Sequence, residues 1–171
     1  MGNENKVIGR IPISKVWPEV DGGDFPAKAF EGEVITFGAT SFREGHDLIG
    51  VELLLTSPKG ESQRIRLSEG RPGLDEWTTQ LLLDQIGTWV FQISAWDDEY
   101  HTWLHNTEVK LQASVDEELM MLEGIAVFTR AAAEKGRTPA NAKLLVELAE
   151  KLAEKAANKN ILAKVFNMYD Y

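Results

Sequence analysis

Alternating apolar and polar positions fill the first two thirds of the chain, and near residue 114 the rhythm changes to one apolar residue every three or four. Alternation with one apolar side is the pattern of a half-buried strand, and the longer period is that of a helix. In Trp89–Trp96 the alternation puts Trp89, Phe91, Ile93 and Ala95 on one face, with Trp89 assigned to the core. In Gln63–Leu67 it turns Ile65 and Leu67 inward and leaves Arg64 and Arg66 to water. Seven strands are predicted this way, near 11–13, 34–42, 47–56, 63–68, 77–83, 87–96 and 102–113. Ser57-Pro58-Lys59-Gly60 reads as a hairpin turn, with proline fixing φ and glycine free to adopt φ > 0. Asp84–Trp89 has the spacing of the corner found in immunoglobulin-like sandwiches, with tryptophan in the place usual for tyrosine.

After the change of rhythm, Ser114 followed by Glu117 predicts a capping box at a helix start. Met121, Ile125, Phe128 and Ala132 form its apolar stripe, and Gly136 its stop. A second helix is predicted from Thr138, with Pro139 in its first position and a stripe of Leu145, Leu148 and Leu152 backed by Ala149, Ala153 and Ala156. A third starts near Asn160, with Ile161, Val165 and Met168. The expected fold is mainly β plus α. An immunoglobulin-like antiparallel β-sandwich over residues 1–113 precedes a small helical bundle over 114–171.

Composition narrows the function. The 171 residues, 43% hydrophobic and 26% charged, describe a folded chain of about one domain with a helical appendage. The absence of cysteine removes disulfides, thiolate metal sites and thiol nucleophiles, and agrees with a reducing compartment. No apolar run approaches the ~20 residues that cross a bilayer. The polar start Met1–Lys6 has no signal-peptide core, so a cytoplasmic location with no membrane partner is expected. A net charge of −9, with the basic residues dispersed, sets nucleic acid aside.

Candidate chemistry is sparse. There is no phosphate-binding glycine loop, no nucleophile elbow and no His-Glu-x-x-His, so no catalytic residue, cofactor or metal is assigned. His101 and His105 fall on the last predicted strand, where their spacing of four spans ~13 Å, too far for one metal ion. Asp97, Asp98 and Glu99, and likewise Asp21–Asp24, read as polar turns rather than acid–base or cation sites. Trp96, Tyr100 and Trp103 gather around one connection with the two histidines interleaved. Such aromatic faces suit sugar rings, protein interfaces or the core itself. Arg43, His46 and Asp47 lie in an unusually charged connection, Ser41–Asp47, which suits an internal salt-bridge network or a partner. The interface or sugar-binding candidates are therefore Arg43, His46, Asp47, Trp96, Tyr100, Trp103 and His105.

Several ordered segments resemble the N-terminal region of the α-1,4-glucan:maltose-1-phosphate maltosyltransferases, members of the α-amylase superfamily. They are Gly9–Ile13, Val16–Gly23, Phe25–Ala29 with Gly32-Glu33, Phe42–Asp47, Gly87–Phe91, Ala95–Asp98 and Thr102–His105. The resemblance covers residues 9–112 well and the helices more loosely. It implies a β-sandwich carrying a helical insertion, ahead of a catalytic (β/α)₈ barrel and contributing to a homodimer interface. In that family the nucleophilic Asp and acid/base Glu lie in the barrel, which needs ~250 residues, so neither transfers to a position here. The family's chain also returns from the helices to the sandwich, whereas Asn167–Tyr171 is still in helical pattern, so a strand is expected to be missing.

The function implied is a non-catalytic assembly and dimerisation region of a maltosyltransferase. Its partners would be a downstream barrel of the same polypeptide and a second copy. The alternative is a module that stacks glucan on Trp96, Tyr100 and Trp103. An independent enzyme built on Asp97–Glu99 with a histidine lacks an oriented nucleophile–base pair.

Overall fold

The computed structural model describes residues 10–71 and 73–157. They form two compact units, one ending at Asp98 and the other beginning at Glu99.

The first unit contains seven strands: β1 (Ile13–Trp17), β2 (Val34–Ser41), β3 (Ile49–Thr56), β4 (Ser62–Arg66), β5 (Ser68–Glu69), β6 (Glu76–Leu82) and β7 (Val90–Asp97). They make two antiparallel sheets, in the orders β1-β2-β6-β5 and β4-β3-β7. Alternation decides which side of each strand is inside. Ile49, Val51, Leu53 and Leu55 of β3 and Phe37 of β2 are buried, with Phe91, Ile93 and Ala95 of β7 packed against them. Trp89 joins this core, as its position in the pattern predicted. Each fully buried Val or Leu here contributes roughly 1.5–3 kcal/mol.

Connections follow the residues that make them. In the β3–β4 hairpin Gly60, at φ 85°, donates its N–H to the Ser57 carbonyl at 2.9 Å. The Ser57 hydroxyl accepts the Lys59 and Glu61 amides, both at 3.3 Å. At the 84–89 corner the Trp89 Nε1–H donates back to the Gln85 carbonyl at 3.1 Å, the bond a corner tyrosine makes through its hydroxyl.

Two strand expectations need correction. The first strand begins at Ile13 and runs on to Trp17 rather than covering 11–13. The run 63–68 is not one strand: β4 pairs with β3, then at Leu67 the chain changes sheets and β5 pairs with β6. Leu67 is the pivot, buried, with its N–H on the Val51 carbonyl at 2.9 Å.

The largest correction is at 102–113, which is helix and not strand. The second unit consists of α1 (Glu99–Gln112), α2 (Glu117–Ala133) and α3 (Pro139–Ala157). Trp103, Thr107 and Lys110 recur at spacings of four and three along α1, the half-buried side of a helix, between Glu99 in the first turn and Lys110 in the last. The β-propensity of Thr102, Trp103, Val109 and Leu111 hid that period.

Ser114 does not cap α2. It sits at φ 54°, with its N–H on the Leu111 carbonyl at 3.1 Å and the Val115 N–H on the Lys110 carbonyl at 2.9 Å. These are the two bonds of a Schellman motif, so Ser114 ends α1. Asp116 precedes α2, makes no side-chain cap bond and pairs instead with Lys110 at 3.4 Å. The buried side of α2 is Met120, Gly124, Val127 and Phe128, one residue round from the expected stripe at its start. α3 starts as predicted, the Thr138 hydroxyl accepting the Asn141 amide at 3.3 Å, and buries Ala149 and Ala156. The helix predicted from Asn160 lies outside the described residues.

Candidate functional site

The charged connection between β2 and β3 is organised by Arg43. Its guanidinium reaches Asp97 at the end of β7 at 2.6 Å and Asp47 at 3.0 Å. The salt-bridge reading of this stretch is therefore present in the structure, with His46 exposed beside it. Asp98 follows Asp97 but turns elsewhere: only 5% exposed, it takes the Arg66 guanidinium, and its amide donates to the Leu48 carbonyl at 2.9 Å. Glu99 opens the helical unit and holds Arg130 at 2.8 Å. Three consecutive carboxylates thus engage three different arginines. Asp98 is a buried anchor while Asp97 and Glu99 stay open to solvent, and each is taken by a different arginine rather than paired as an acid–base couple would be.

Trp96 faces outward from β7 opposite Gly50 of β3, and its indole lies where a Gly50 side chain would be. The Arg66 guanidinium stands 5.6 Å from its ring centroid, a cation–π distance. Arg66 is therefore tied to both Trp96 and Asp98, not simply released to water.

Tyr100, Trp103 and His105 belong to the helical unit, so the structure divides the aromatic set between two units. Trp103 is inside the helices. Its Nε1–H donates to the Met120 carbonyl at 2.6 Å, its ring lies against Gly124, and Phe128 meets it edge-on at 5.4 Å between centroids. Tyr100 stands at the exposed margin, 6.1 Å from Trp103 and 6.0 Å from Phe128. His101 and His105 are one helical turn apart, so the extended 13 Å separation does not apply. Among the described residues no group of three or more His, Cys, Asp or Glu is placed to hold a metal ion.

Two adjoining clefts in the sandwich unit involve residues that the sequence did not single out. The larger, about 480 Å³, runs between the segment Val16–Ala29 and β7, and core side chains line it: Ile35, Phe37, Leu83, Trp89, Phe91 and Ile93. The smaller, about 370 Å³, lies between Pro26–Glu31 and the corner at 85–89. Phe30 and Ile86 at its edge are 84% and 81% exposed. Their signal in the sequence was a large apolar residue inside a polar connection, which alternation alone does not weigh.

Among the described residues no helix is long and apolar enough to cross a membrane. Residues 9–168 match the family model described as "Alpha-1,4-glucan:maltose-1-phosphate maltosyltransferase, domain N/S". The chain is 40% identical to maltosyltransferase 1 of Streptomyces coelicolor over 129 residues, 75% of this chain and 19% of that protein. It is 36% identical to the enzyme of Corynebacterium pseudotuberculosis over 140 residues, 81% of this chain and 21% of that one. With the Chlorobaculum tepidum enzyme it shares 33% over 124 residues, 72% and 18% respectively. The chain thus spans about a fifth of the length of the curated relatives it matches. A family match over nearly the whole chain, on the fold just described, makes this protein a member of the maltosyltransferase domain N/S family.

Proposed function

We propose that this chain is the non-catalytic assembly and dimerisation region of a cytoplasmic maltosyltransferase, one that moves maltosyl units from maltose 1-phosphate to α-1,4-glucan. The chemistry then belongs to the barrel of the same polypeptide. The observation that carries the reading is the family match to one fifth of the relatives' length. The pairing of Asp97, Asp98 and Glu99 with separate arginines supports it, since it leaves these carboxylates in structural roles.

The sandwich carries a second support. Among the described residues β7 pairs only with β3, and core side chains open to the cleft beside it. Read as an immunoglobulin-like order, β1-β2-β6-β5 corresponds to A-B-E-D and β4-β3-β7 to C′-C-F, which leaves the place of G beside β7 for a returning strand. An exposed edge of this kind favours pairing with another segment. The dimer contacts are sought at the exposed members of the charged and aromatic set, His46 and Asp47 on the first unit and, separately, Tyr100 and His105 on the second.

The test is a transfer assay with the purified 171-residue chain, maltose 1-phosphate and maltoheptaose. No phosphate release is expected, and measurable turnover overturns the reading. Light scattering on the same sample reads the dimer; an unchanged dimer fraction after combined His46→Glu and Tyr100→Ala moves the interface elsewhere.

A further inference from the structure

We infer that the end of the sandwich carrying Phe30 and Ile86 is the surface on which the catalytic part of the same polypeptide docks. The identity of the occupant rests on the assembly reading above; the surface rests on its own geometry. Phe30 and Ile86 are 84% and 81% exposed, and both border one opening. Val34 and Leu82, 57% and 59% exposed, are paired across β2 and β6 at the same end. Large apolar side chains gathered in this way mark interaction sites, whereas single ones scattered over a surface do not. The walls shared with the larger cleft, Pro26, Ala27, Ala29, Leu83 and Trp89, stay with the open side of β7 and are not part of this surface.

Both anchors stand on turns that are set before a partner arrives. The Phe30 amide donates to the Glu33 carboxylate at 2.9 Å, and the Glu33 amide returns to the Phe30 carbonyl at 3.1 Å. The Gly32 amide ties that turn to the Leu83 carbonyl at 2.8 Å. At the corner Trp89 bonds the Gln85 carbonyl, and a side chain built at Gly87 would fall 2.7 Å from Pro58. An exposed side chain on a fixed turn loses little backbone freedom on binding, which makes it an effective anchor.

Area and charge select the occupant. The four side chains expose on the order of 500 Å², short of the roughly 800 Å² that each partner buries in a stable complex of separate chains. Packing within one polypeptide needs less, because the tether raises the effective concentration. Glu31 and Asp84 flank the anchors with exposed acidic side chains, so a second copy brought to this patch would set like charges together. The receiving surface is therefore an apolar socket with a basic margin. The relatives leave room for it, since this chain spans about a fifth of their length.

The 171 residues include no cysteine, so a single introduced thiol reports the site. Glu31→Cys is labelled with a maleimide in this chain and in the chain extended into its downstream part, with labelled peptides resolved by mass spectrometry. Labelling at position 31 is expected to slow roughly tenfold or more in the extended chain. Phe30→Asp, added to Glu31→Cys, should bring back the fast rate. Melting curves of the short variants check folding, which neither exposed substitution should disturb. Equal rates in the two chains overturn the surface, as does slow labelling that Phe30→Asp leaves unchanged. Labelling that slows with concentration in the short chain alone assigns the patch to a second copy and also overturns the inference. Transfer is assayed on the extended chain separately: turnover there with position 31 unprotected removes this surface and leaves the assembly reading standing.

Discussion

Gly124 is where the three helices meet: a side chain built there would fall 2.5 Å from the Trp103 ring and 2.8 Å from Leu152. Glycine in a helix interior costs about 1 kcal/mol relative to alanine. Here it is retained because α1 and α3 both press on that point of α2. Gly124→Ala should therefore destabilise the helical unit by about 1–3 kcal/mol, overpacking outweighing the gain in propensity. Chemical denaturation followed by circular dichroism reads this, and a rise in stability would show that the helices part without cost. The same device recurs in the sandwich, with Trp17 over Gly38 and Trp96 over Gly50. Trp103→Ala is accordingly a stability variant, expected to cost about 3–5 kcal/mol. It cannot report cleanly on an interface or a sugar site.

At the scale of elements, the boundary near residue 114 illustrates how one motif can serve the wrong helix. Ser114 and Glu117 have capping-box spacing, yet Ser114 holds the left-handed position that ends α1. A non-glycine residue there carries roughly 1–2 kcal/mol of strain that glycine avoids. Ser114→Gly should thus raise the melting temperature, where loss of a cap would lower it. A fall would restore the capping-box reading. The missed helix α1 has a related cause. Its sequence has helix formers at many positions, but Thr102, Trp103 and Val109 also suit a strand, and no proline or glycine separates it from β7. Only Asp98 and Glu99, the last two of the three acidic residues before Tyr100, mark the start.

At the scale of the whole molecule, the open side of β7 is the feature with consequences. The cleft is lined by the buried Phe37 and Leu83 and by the half-buried Phe91 and Ile93, core residues beside the unpaired side of β7. If a further segment of the polypeptide pairs with β7, hydrogen exchange along residues 90–97 should slow by at least tenfold when the chain is extended into its downstream part. Equal exchange rates in the short and extended chains would leave β7 a true edge and remove this support for the assembly role.

The sequence by itself determined the inward residues of β3 and β7, the Ser57–Gly60 turn, the Trp89 corner, the start of α3 and the family. Each rests on local periodicity, local turn chemistry or ordered motifs, which need no knowledge of distant neighbours. Tertiary structure alone decided the change of sheets at Leu67, the helix in place of a strand at 102–113, and the separate arginine partners of Asp97, Asp98 and Glu99. It also placed Trp103 in the helices and exposed the clefts beside Phe30 and β7. These depend on which residues, far apart along the chain, meet in space, and an alternation of apolar and polar positions carries no record of that.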